Sequence, residues 1–554
     1  MGNSNRVGDA RRAIVLAGMP GTGKSVAGRA LAARLGWAFV DLDDMIAADA
    51  GRPIGAIFDA EGEPGFRARE RAAVARLASA LARPTVVALG GWTVGDPENR
   101  SHLAGLGPVV CLVADAVTLA ARLTPAEMSA RPRLAGAGAA GIDALAAERQ
   151  PVYDSLPLQV DTTGRDADAV ARAVVRLVTA AGALDAQAIP VRSPGLGCGG
   201  RPTPGHAAVV APGLLPVLGA WLEARGARGT VPVVTDLHVA AHHGPTVLEA
   251  LRAAGLTAEL VALPPGEATK SLATVGMLYD RLAGLGVDRQ GLVLALGGGV
   301  VTDVAGFAAA TYLRGVPWVA VPTSLLGMAD AAIGGKTGIN LPAGKNLAGA
   351  FHPPAGVAVD PAALATLPAA ERRAGLAEVV KAALIADAAL FESLAEDPLP
   401  AHADAAAWAA LVVRAIRVKA GIVGADPRER GGRIVLNLGH TFAHALERAT
   451  GYRLPHGEAV SVGLVAAAKL ADRIGMTGGQ PLAPRVEHAL ARHGLPVRWA
   501  GPDAATVVAA MAADKKRLGA RLRFVLPRGV GSVAVRDDIA PDDVVAVVAA
   551  LRGG

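Results

Sequence analysis

Apolar and polar positions alternate along the chain in a way that divides it into strands and helices. In the first third, the largely apolar runs AIVLAG, AFVDLD, TVVALGG and VVCLVAD predict short strands. Between and after them, apolar residues recur at helical spacing, most clearly over residues 24–35 and 166–181. Because strands alternate with helices, this region predicts an α/β fold built on a parallel sheet.

The same alternation returns after a proline- and glycine-rich stretch, residues 188–213, and changes character near residue 361. The runs VPVVTD, TAELVAL, LVLALGGG and PWVAVPT predict further strands separated by helices. Long helical patterns then dominate, interrupted by the hairpin-like RLRFVLPRGVGSVAV. We therefore predict an α/β domain over 1–180, a linker over 181–188, a second α/β subdomain over 189–360 and a helical subdomain over 361–554.

Composition narrows the class of protein. The 554 residues are 52% hydrophobic, but the charge-free stretches are too short or too proline-broken to span a bilayer. The net charge of +6 comes without a lysine/arginine block, which favours small anionic substrates over nucleic acid. Two cysteines, Cys111 and Cys198, cannot form a disulfide framework, so we expect a cytoplasmic protein that binds neither membrane nor nucleic acid.

The stretch GMPGTGKS, Gly18–Ser25, fits the phosphate-loop pattern G-x-x-x-x-G-K-[ST] between a predicted strand and a predicted helix. Gly21 and Gly23 allow backbone N–H groups to surround phosphate oxygens at a helix N-terminus. Lys24 is expected to reach the outer phosphates of ATP, and Ser25 to hold Mg²⁺. The motif indicates that a nucleotide binds here, but it does not identify the molecule that accepts the phosphoryl group.

The acceptor is suggested by the segments DLDD, GEPGFR, ALGG, ARPRL and ERQPVYDSL, which follow the loop in this order. Together they resemble shikimate kinase over about residues 10–180. The resemblance implies that Asp43 deprotonates the acceptor hydroxyl and Asp41 supports magnesium. It also implies that shikimate is held by Arg67, Arg149, Gly90 and Gly91, and that Arg131 steadies the transferred phosphoryl group from a lid.

Trp92 is a departure from that pattern, because the resembled family has a third glycine after Gly90 and Gly91. Two alternatives remain open at the level of sequence. A large indole at this position either narrows the carboxylate cradle or faces away from it. The first alternative predicts a weakened kinase, and the second leaves the kinase intact.

The second half carries a dense set of motifs: LALGGGVVTDVAG, DAAIGGKTGIN, GKNLAGAFHPP, GLAEVVK, NLGHTFAHALE, LPHGEAV and DKKRLGARLRFVL. They resemble 3-dehydroquinate synthase over roughly residues 188–554. The resemblance implies an NAD⁺-dependent reaction that converts 3-deoxy-D-arabino-heptulosonate 7-phosphate into 3-dehydroquinate and phosphate. It also implies a homodimer formed through this half.

Three histidines, His440, His444 and His456, lie within one short stretch, and two different metal sites are conceivable. His440 and His444 stand four residues apart, the ordinary spacing of a metal-binding pair on a helix. The resemblance instead joins Glu378, His440 and His456 around Zn²⁺ or Co²⁺. It leaves His444 beside the metal as a substrate or proton-relay residue.

The resemblance also assigns the groups that bind the cofactor and the substrate anions. Lys381, His444 and Lys336 are implied in catalysis. The NAD⁺ positions are Asp236, Glu267, Lys270, Gly298, Gly299, Thr323, Ser324 and Thr366. The substrate positions are Arg314, Asp330, Lys336, Lys345, Asn346, Lys419, Arg433, Asn437, Lys515 and Lys516.

These observations predict a bifunctional enzyme of aromatic biosynthesis: a shikimate kinase joined to a 3-dehydroquinate synthase. The alternative for the first half is a nucleotide-binding module without catalysis. The alternative for the second half is a metal- and NAD-dependent polyol dehydrogenase, which needs no array of anion-binding lysines and releases NADH.

Overall fold

A computed structural model of the chain describes residues 13–124, 128, 138–182, 184–193, 197–198, 201–202, 205–397, 404–518 and 522–553. The chain forms two compact units. The first comprises Met1–Pro190, Gly213–Val231 and Pro245–Glu259; the second comprises Val191–Pro212, Pro232–Gly244 and Leu260–Gly554. The predicted domain boundaries stay a prediction, and the first unit also takes in two segments from beyond residue 188. No described helix is both long and apolar enough to cross a membrane.

A five-stranded parallel sheet forms the centre of the first unit, as the alternating pattern predicts. Its strands follow the order β2-β3-β1-β4-β5. Their bounds are β1 Ala13–Gly18, β2 Ala38–Asp41, β3 Thr85–Ala88, β4 Val109–Val113 and β5 Leu158–Asp161. The fifth of these strands was not among the predicted runs.

The central strand β1 is buried on both faces, because successive side chains of a strand point to opposite sides of the sheet. Ile14 and Leu16 enter one apolar core, whereas Val15 belongs to the core on the other face. Such two-sided burial explains why β1 reads as a continuous apolar run instead of an alternating one.

Helices cover both faces of this sheet. Their bounds are α1 Lys24–Leu35, α2 Leu42–Ala50, α3 Ile54–Ala80, α4 Pro97–Leu106, α5 Ala116–Arg122, α6 Gly138–Asp154 and α7 Ala167–Ala181. Helix α7 buries Val170, Val174, Leu177 and Val178 along one stripe, the spacing expected of an amphipathic helix. The side chain of Asp166 caps it by accepting from the N–H of Ala169.

A seven-stranded sheet follows the order β11-β10-β12-β13-β16-β9-β6. The pairs from β10 to β9 are parallel. The strand bounds are β6 Gln187–Arg192, β7 Gly197–Cys198, β8 Arg201–Pro202, β9 Gly205–Val210, β10 Thr230–Asp236, β11 Thr257–Leu263, β12 Val293–Gly297, β13 Trp318–Pro322, β14 Lys336–Leu341, β15 Gly344–Phe351, β16 Gly356–Val359, β17 Phe524–Gly529 and β18 Ser532–Arg536. The pairs β7–β8, β14–β15 and β17–β18 form separate antiparallel hairpins, and the last is the predicted hairpin.

Twelve further α-helices are described, and the eight that follow residue 361 confirm the predicted change to helical structure. Their bounds are α8 Leu218–Ala224, α9 Leu237–Ala253, α10 Leu272–Gly284, α11 Gly299–Thr311, α12 Ala369–Ala386, α13 Ala388–Glu396, α14 Ala405–Ala425, α15 His440–Ala449, α16 His456–Arg473, α17 Ala483–Arg492, α18 Ala504–Leu518 and α19 Pro541–Ala550. Helix α12 carries Glu378, and helices α15 and α16 begin at His440 and His456. These three helices position the candidate metal site.

Candidate active sites

The phosphate loop lies between β1 and α1, as its motif predicts. Gly21 and Gly23 adopt left-handed φ values of 85° and 86°, which other residues rarely accept. Lys24 folds back over the loop, and its Nζ donates to the carbonyl oxygens of Gly18 and Met19, each at 3.0 Å. A glycine loop in this position presents backbone N–H groups and the positive end of a helix to phosphate oxygens.

A cavity of about 610 Å³ opens at this loop. Ser25 Oγ donates to Asp41 Oδ2 at 2.6 Å, so the hydroxyl and the carboxylate predicted to serve magnesium are neighbours. Asp43 lines the same cavity, together with Arg122 and Arg165 from more distant segments. The cavity therefore combines a phosphate loop, a candidate base and two cations.

Asp43 and Glu70, the ion-pair partner of Arg67, both approach Gly90. A Cβ at Gly90 would lie 2.9 Å from Asp43 Oδ1 and 3.1 Å from Glu70 Oε1, so both carboxylates touch this turn. Arg67 donates to the buried Glu70 at 2.8 Å. Burial opposes the charge of Arg67, but the Glu70 carboxylate outweighs it and raises the arginine pKa. Glu70 was missed from sequence; its place three residues after Arg67 on one helix was the available signal.

Trp92 packs on the predicted carboxylate grip. The guanidinium carbon of Arg149 lies 5.1 Å from the centre of the indole ring, and the ring of Tyr153 meets the indole edge-on at 6.3 Å. Arg149 and Tyr153 both donate to the carbonyl oxygen of Gly91. Trp92 is outside the described lining of the phosphate-loop cavity, as are Arg67, Arg149 and Gly90 of the predicted grip. The indole therefore does not face away from the grip: it stacks on Arg149 and supports that side chain.

The second unit contains a cavity of about 930 Å³. All eight positions predicted for NAD⁺ line it, on strand ends and helix starts that are far apart in sequence. Gly298 precedes helix α11, and a Cβ on it would lie 3.2 Å from Ser324 Oγ. The loop after β12 therefore brings bare backbone and a helix N-terminus to the cavity, a suitable site for a pyrophosphate.

Lys270 is the centre of a hydrogen-bond network at this cavity. The buried lysine donates to Asp303 Oδ2 at 2.7 Å and to Asn346 Oδ1 at 2.6 Å. Asn340 links the network further, because its side chain donates to Glu267 at 2.7 Å and accepts from the N–H of Asn346 at 2.9 Å. Burial raises the pKa of Asp303, although Lys270 opposes the shift.

The residues that line this cavity and that sequence reasoning missed include His242, His243 and Asp303. His243 Nε2 lies 2.8 Å from the hydroxyl of Thr366. The two histidines belong to the helix that follows β10, and ligand-binding residues often follow the carboxyl ends of parallel strands. That position was the one signal the sequence offered.

Glu378, His440 and His456 form the group that offers metal ligands. One ligand atom from each lies within 4.8 Å of the others, and both histidine Nε2 atoms lie 3.6 Å from Glu378 Oε1. Both carboxylate oxygens of Glu378 are buried, and neither accepts a hydrogen bond of normal geometry from the described residues. This set matches the one implied by resemblance.

A polar contact on the far side of each imidazole orients the ring. His440 Nδ1 lies 3.2 Å from the carbonyl oxygen of Leu438, and His456 Nδ1 lies 3.5 Å from Glu447 Oε1. Burial lowers the pKa of His440 to about 3. Burial also opposes the charge of His456, but Glu378 and Glu447 outweigh it and raise that pKa to about 9. In both histidines Nε2 is the atom directed towards Glu378.

His444 lies beside this group. Its ring centre is 5.4 Å from that of His440 and 6.4 Å from that of His456, and the residue lines the cavity. Among the described residues, the combination that brings ligand atoms together contains His456 in place of His444. The local spacing of His440 and His444 alone therefore points to a different set from the one that the fold assembles.

Buried lysines and carboxylates surround the metal group. Lys381 pairs with Glu378 and lies 3.7 Å from Asp330 Oδ1, which Lys419 contacts at 2.8 Å. Burial opposes ionisation of Asp330, but the two lysines outweigh it and lower its pKa. Lys345 pairs with Glu447 at 3.3 Å. Each of these charged side chains is thus paired with a side chain of opposite charge.

The other predicted substrate residues occupy different surroundings. Arg433 is buried and donates to the carbonyl oxygens of Gly334 and Pro427, while Lys336 pairs with Glu429 at 2.6 Å. Of the predicted substrate residues, Asp330, Lys345 and Asn346 line the cavity; Arg314, Lys336, Lys419, Arg433 and Asn437 are outside its described lining. Arg131 and the side chains of Lys515 and Lys516 lie outside the described residues.

Comparison with known proteins identifies both halves. Family models match three stretches: shikimate kinase over residues 20–179, 3-dehydroquinate synthase N-terminal over 260–374, and 3-dehydroquinate synthase C-terminal over 375–517. The 3-dehydroquinate synthase of Synechococcus sp. is 44% identical over 337 residues, covering 60% of this chain and 91% of that protein. The chain belongs to the 3-dehydroquinate synthase family. The synthase of Caulobacter vibrioides is 45% identical over 340 residues, 60% of this chain and 92% of the relative.

Solved structures agree with this assignment. The 2-epi-5-epi-valiolone synthase of Streptomyces hygroscopicus is 31% identical with a TM-score of 0.56, over 62% of this chain and 96% of its own; that structure holds NAD⁺ and Zn²⁺. A 2-deoxy-scyllo-inosose synthase at 24% identity and a TM-score of 0.58 covers 66% of this chain and 99% of its own, and shares the fold. With the kinase match, one chain carries two enzymes of the shikimate pathway, as predicted.

Proposed function

We propose that the first unit phosphorylates shikimate with ATP and that the second converts 3-deoxy-D-arabino-heptulosonate 7-phosphate into 3-dehydroquinate and phosphate. One observation supports the second activity most directly. His456 lines the cavity that all eight expected NAD⁺ residues line, and the other two candidate metal ligands, Glu378 and His440, cluster with it. A metal site at the edge of a dinucleotide cavity, with buried lysines beside it, suits hydride removal from an anionic sugar.

In the kinase cavity, the side chains position two substrates and neutralise charge, which is most of what phosphoryl transfer requires. Asp43 accepts the proton of the attacking hydroxyl, and Lys24 balances the charge on the phosphates. Ser25 and Asp41 hold the magnesium that accompanies ATP. The shikimate carboxylate is held by Arg67 and Arg149, with backbone N–H groups of Gly90 and Gly91, and Arg131 completes the site.

Zn²⁺ or Co²⁺ fits Glu378, His440 and His456. The buried carboxylate oxygens of Glu378 lack hydrogen bonds of normal geometry from described residues, and both Nε2 atoms face them. Two imidazoles and one carboxylate with an open position are typical of catalytic zinc. When bound, the metal and NAD⁺ supply polarisation of a substrate hydroxyl and reversible hydride acceptance.

The surrounding side chains bind the substrate and move its protons. The predicted lysines and arginines, of which Lys345 is in the described lining of the cavity, hold the carboxylate and phosphate, while Asp330, Asn346 and Asn437 bond to hydroxyl groups. His444 relays a proton beside the metal, a role for which its ring is suitably close to both ligating histidines. The cationic set is Lys336, Lys345, Lys381, Lys419, Arg314, Arg433, Lys515 and Lys516.

We expect a cytoplasmic homodimer assembled through the synthase half, with small-molecule substrates and no nucleic-acid partner. Cys111 is a buried free cysteine, which suits a reducing compartment. Size-exclusion chromatography with light scattering should give twice the mass of the chain, and a monomer would contradict the expected assembly.

Two assays on the purified protein test the function. Phosphate release from the heptulosonate phosphate should continue for many turnovers per NAD⁺ with no net absorbance from NADH. One NADH per phosphate or per substrate consumed would identify a dehydrogenase instead. ADP formation should depend on shikimate; ATP binding without shikimate-dependent ADP would identify a non-catalytic nucleotide module.

A further inference from the structure

A short helix from beyond the predicted linker is part of the first unit. Helix α8 lies within Gly213–Val231, a segment that folds with Met1–Pro190. Its residue Ala224 is completely buried in the same core as Leu177 of α7 and Leu31 of α1. Helix α8 therefore closes one face of the kinase fold, although it follows that fold in the sequence.

Glu223 on α8 holds a cation at the kinase cavity. Arg165 Nη2 donates to the carbonyl oxygen of Glu223 at 2.6 Å, and Arg165 Nη1 donates to Glu223 Oε1 at 3.3 Å. Arg165 lines the cavity that contains the phosphate loop. Arg176 adds a weaker contact, 3.8 Å from Glu223 Oε2. Both terminal nitrogens of Arg165 are therefore held by one residue of α8.

Arg225 anchors the end of the same helix. Its guanidinium carbon lies 4.2 Å from the centre of the Trp221 ring. Arg225 Nη1 donates to Gln159 Oε1 at 3.0 Å, and Gln159 Nε2 donates to the carbonyl oxygen of Tyr153 at 3.0 Å. Tyr153 in turn contacts Gly91 of the proposed shikimate site. These contacts fix the position of α8 on the kinase fold without involving Glu223.

We propose that Glu223 is a positioning residue for nucleotide binding, acting through Arg165. A flexible arginine that is held before the ligand arrives loses less conformational entropy when the ligand binds. The anchored helix lets Glu223 fix Arg165 in one orientation at the cavity. The inference rests on the proposed nucleotide site, but it needs no assumption about the phosphoryl acceptor.

The test measures the Kd of Mg–ADP for the full chain by titration calorimetry, a readout that does not require kinase activity. Glu223→Ala removes the carboxylate contact of Arg165 but leaves the backbone carbonyl as an acceptor, so binding should weaken about threefold, part of the cost of ordering one long side chain. Glu249→Ala is the matched control, because Glu249 is exposed on α9 in the same unit and should leave Kd within twofold. Glu223→Gln keeps an acceptor for Arg165 and should recover part of the loss.

A double-mutant cycle separates positioning from general damage. Arg165→Ala should weaken Mg–ADP binding, and adding Glu223→Ala to it should change Kd no further. An equal loss from Glu223→Ala in both backgrounds, or unchanged or tighter binding in Glu223→Ala alone, would overturn the proposal. If wild type binds Mg–ADP but forms no ADP with shikimate, the proposed kinase function fails while this inference is still tested.

Discussion

The phosphate loop and the metal site differ in how their functional groups are distributed along the chain. The loop is one continuous stretch, Gly18–Ser25, between a strand and a helix, and much of its binding capacity comes from the backbone. The metal site draws single side chains from three helices, and its charges are paired with one another, as in the contact of Lys381 with Glu378. Removing one group should therefore have local consequences in the loop and shared consequences in the metal site.

The largest effect is expected at the metal site. Glu378→Ala removes a metal ligand and leaves the buried Lys381 without its nearest carboxylate, which is costly in a buried network. We expect zinc affinity to fall by more than the roughly 10–100-fold typical of supporting residues, and phosphate release to disappear. Elemental analysis of the purified variant checks the metal, and retained kinase activity in the same chain checks that it is folded.

His444→Ala is the matched control for that change. It removes a histidine that contacts the same group but is not among its ligands, so the variant should keep its metal while the rate of phosphate release falls. A metal-free His444→Ala beside a metal-replete Glu378→Ala would reverse the assignment and favour the His440 and His444 pair.

Lys24→Ala tests the other side of the comparison. Loss of one charge that stabilises the transferring phosphoryl group should lower the kinase kcat by roughly 10²–10³-fold. The change lies in a continuous loop, so metal content and phosphate release by the second unit should stay at wild-type values. A parallel loss of both activities would show that the two sites are not separable as described.

Trp92→Leu tests a residue that shares features of both sites. It directly follows the turn at Gly90 and Gly91, yet it acts through a side chain that is distant in sequence, Arg149. Losing the stacked indole should raise the KM for shikimate by about five- to tenfold, the value of a partly buried cation–π contact. The KM for ATP should change less than twofold. A lower KM for shikimate would mean that the indole narrows the site, the alternative left open by the sequence.

Asp303→Asn should give the smallest effect. The substitution keeps the shape of a side chain that bonds to Lys270 but removes its charge, so we expect the Kd for NAD⁺ to rise about threefold. Asp280→Asn, on the exposed face of α10, is the control and should leave NAD⁺ binding unchanged. An unaltered Kd in Asp303→Asn would show that Lys270 needs only its amide partner, Asn346.

The same contrast explains what could be predicted from the sequence. The phosphate loop and helix α1 were predicted to the residue, because short-range patterns specify local backbone conformation. The set Glu378, His440 and His456 followed from resemblance, whereas local spacing alone pointed equally to His444. Asp303 and Glu70 were missed because their partners, Lys270 and the turn at Gly90, meet them only in the folded chain. Helix α8 was assigned by sequence order to the second half, since no local pattern reveals which core a short helix completes.

A crossed assay tests most directly the claim that one chain carries two separate active sites. Shikimate-dependent ADP formation and phosphate release from the heptulosonate phosphate are measured on wild type, Lys24→Ala and Glu378→Ala, all as full chains. We expect wild type to perform both reactions, Lys24→Ala to retain only phosphate release, and Glu378→Ala to retain only ADP formation. Absence of either reaction in wild type, or loss of both in one folded variant, would contradict the account.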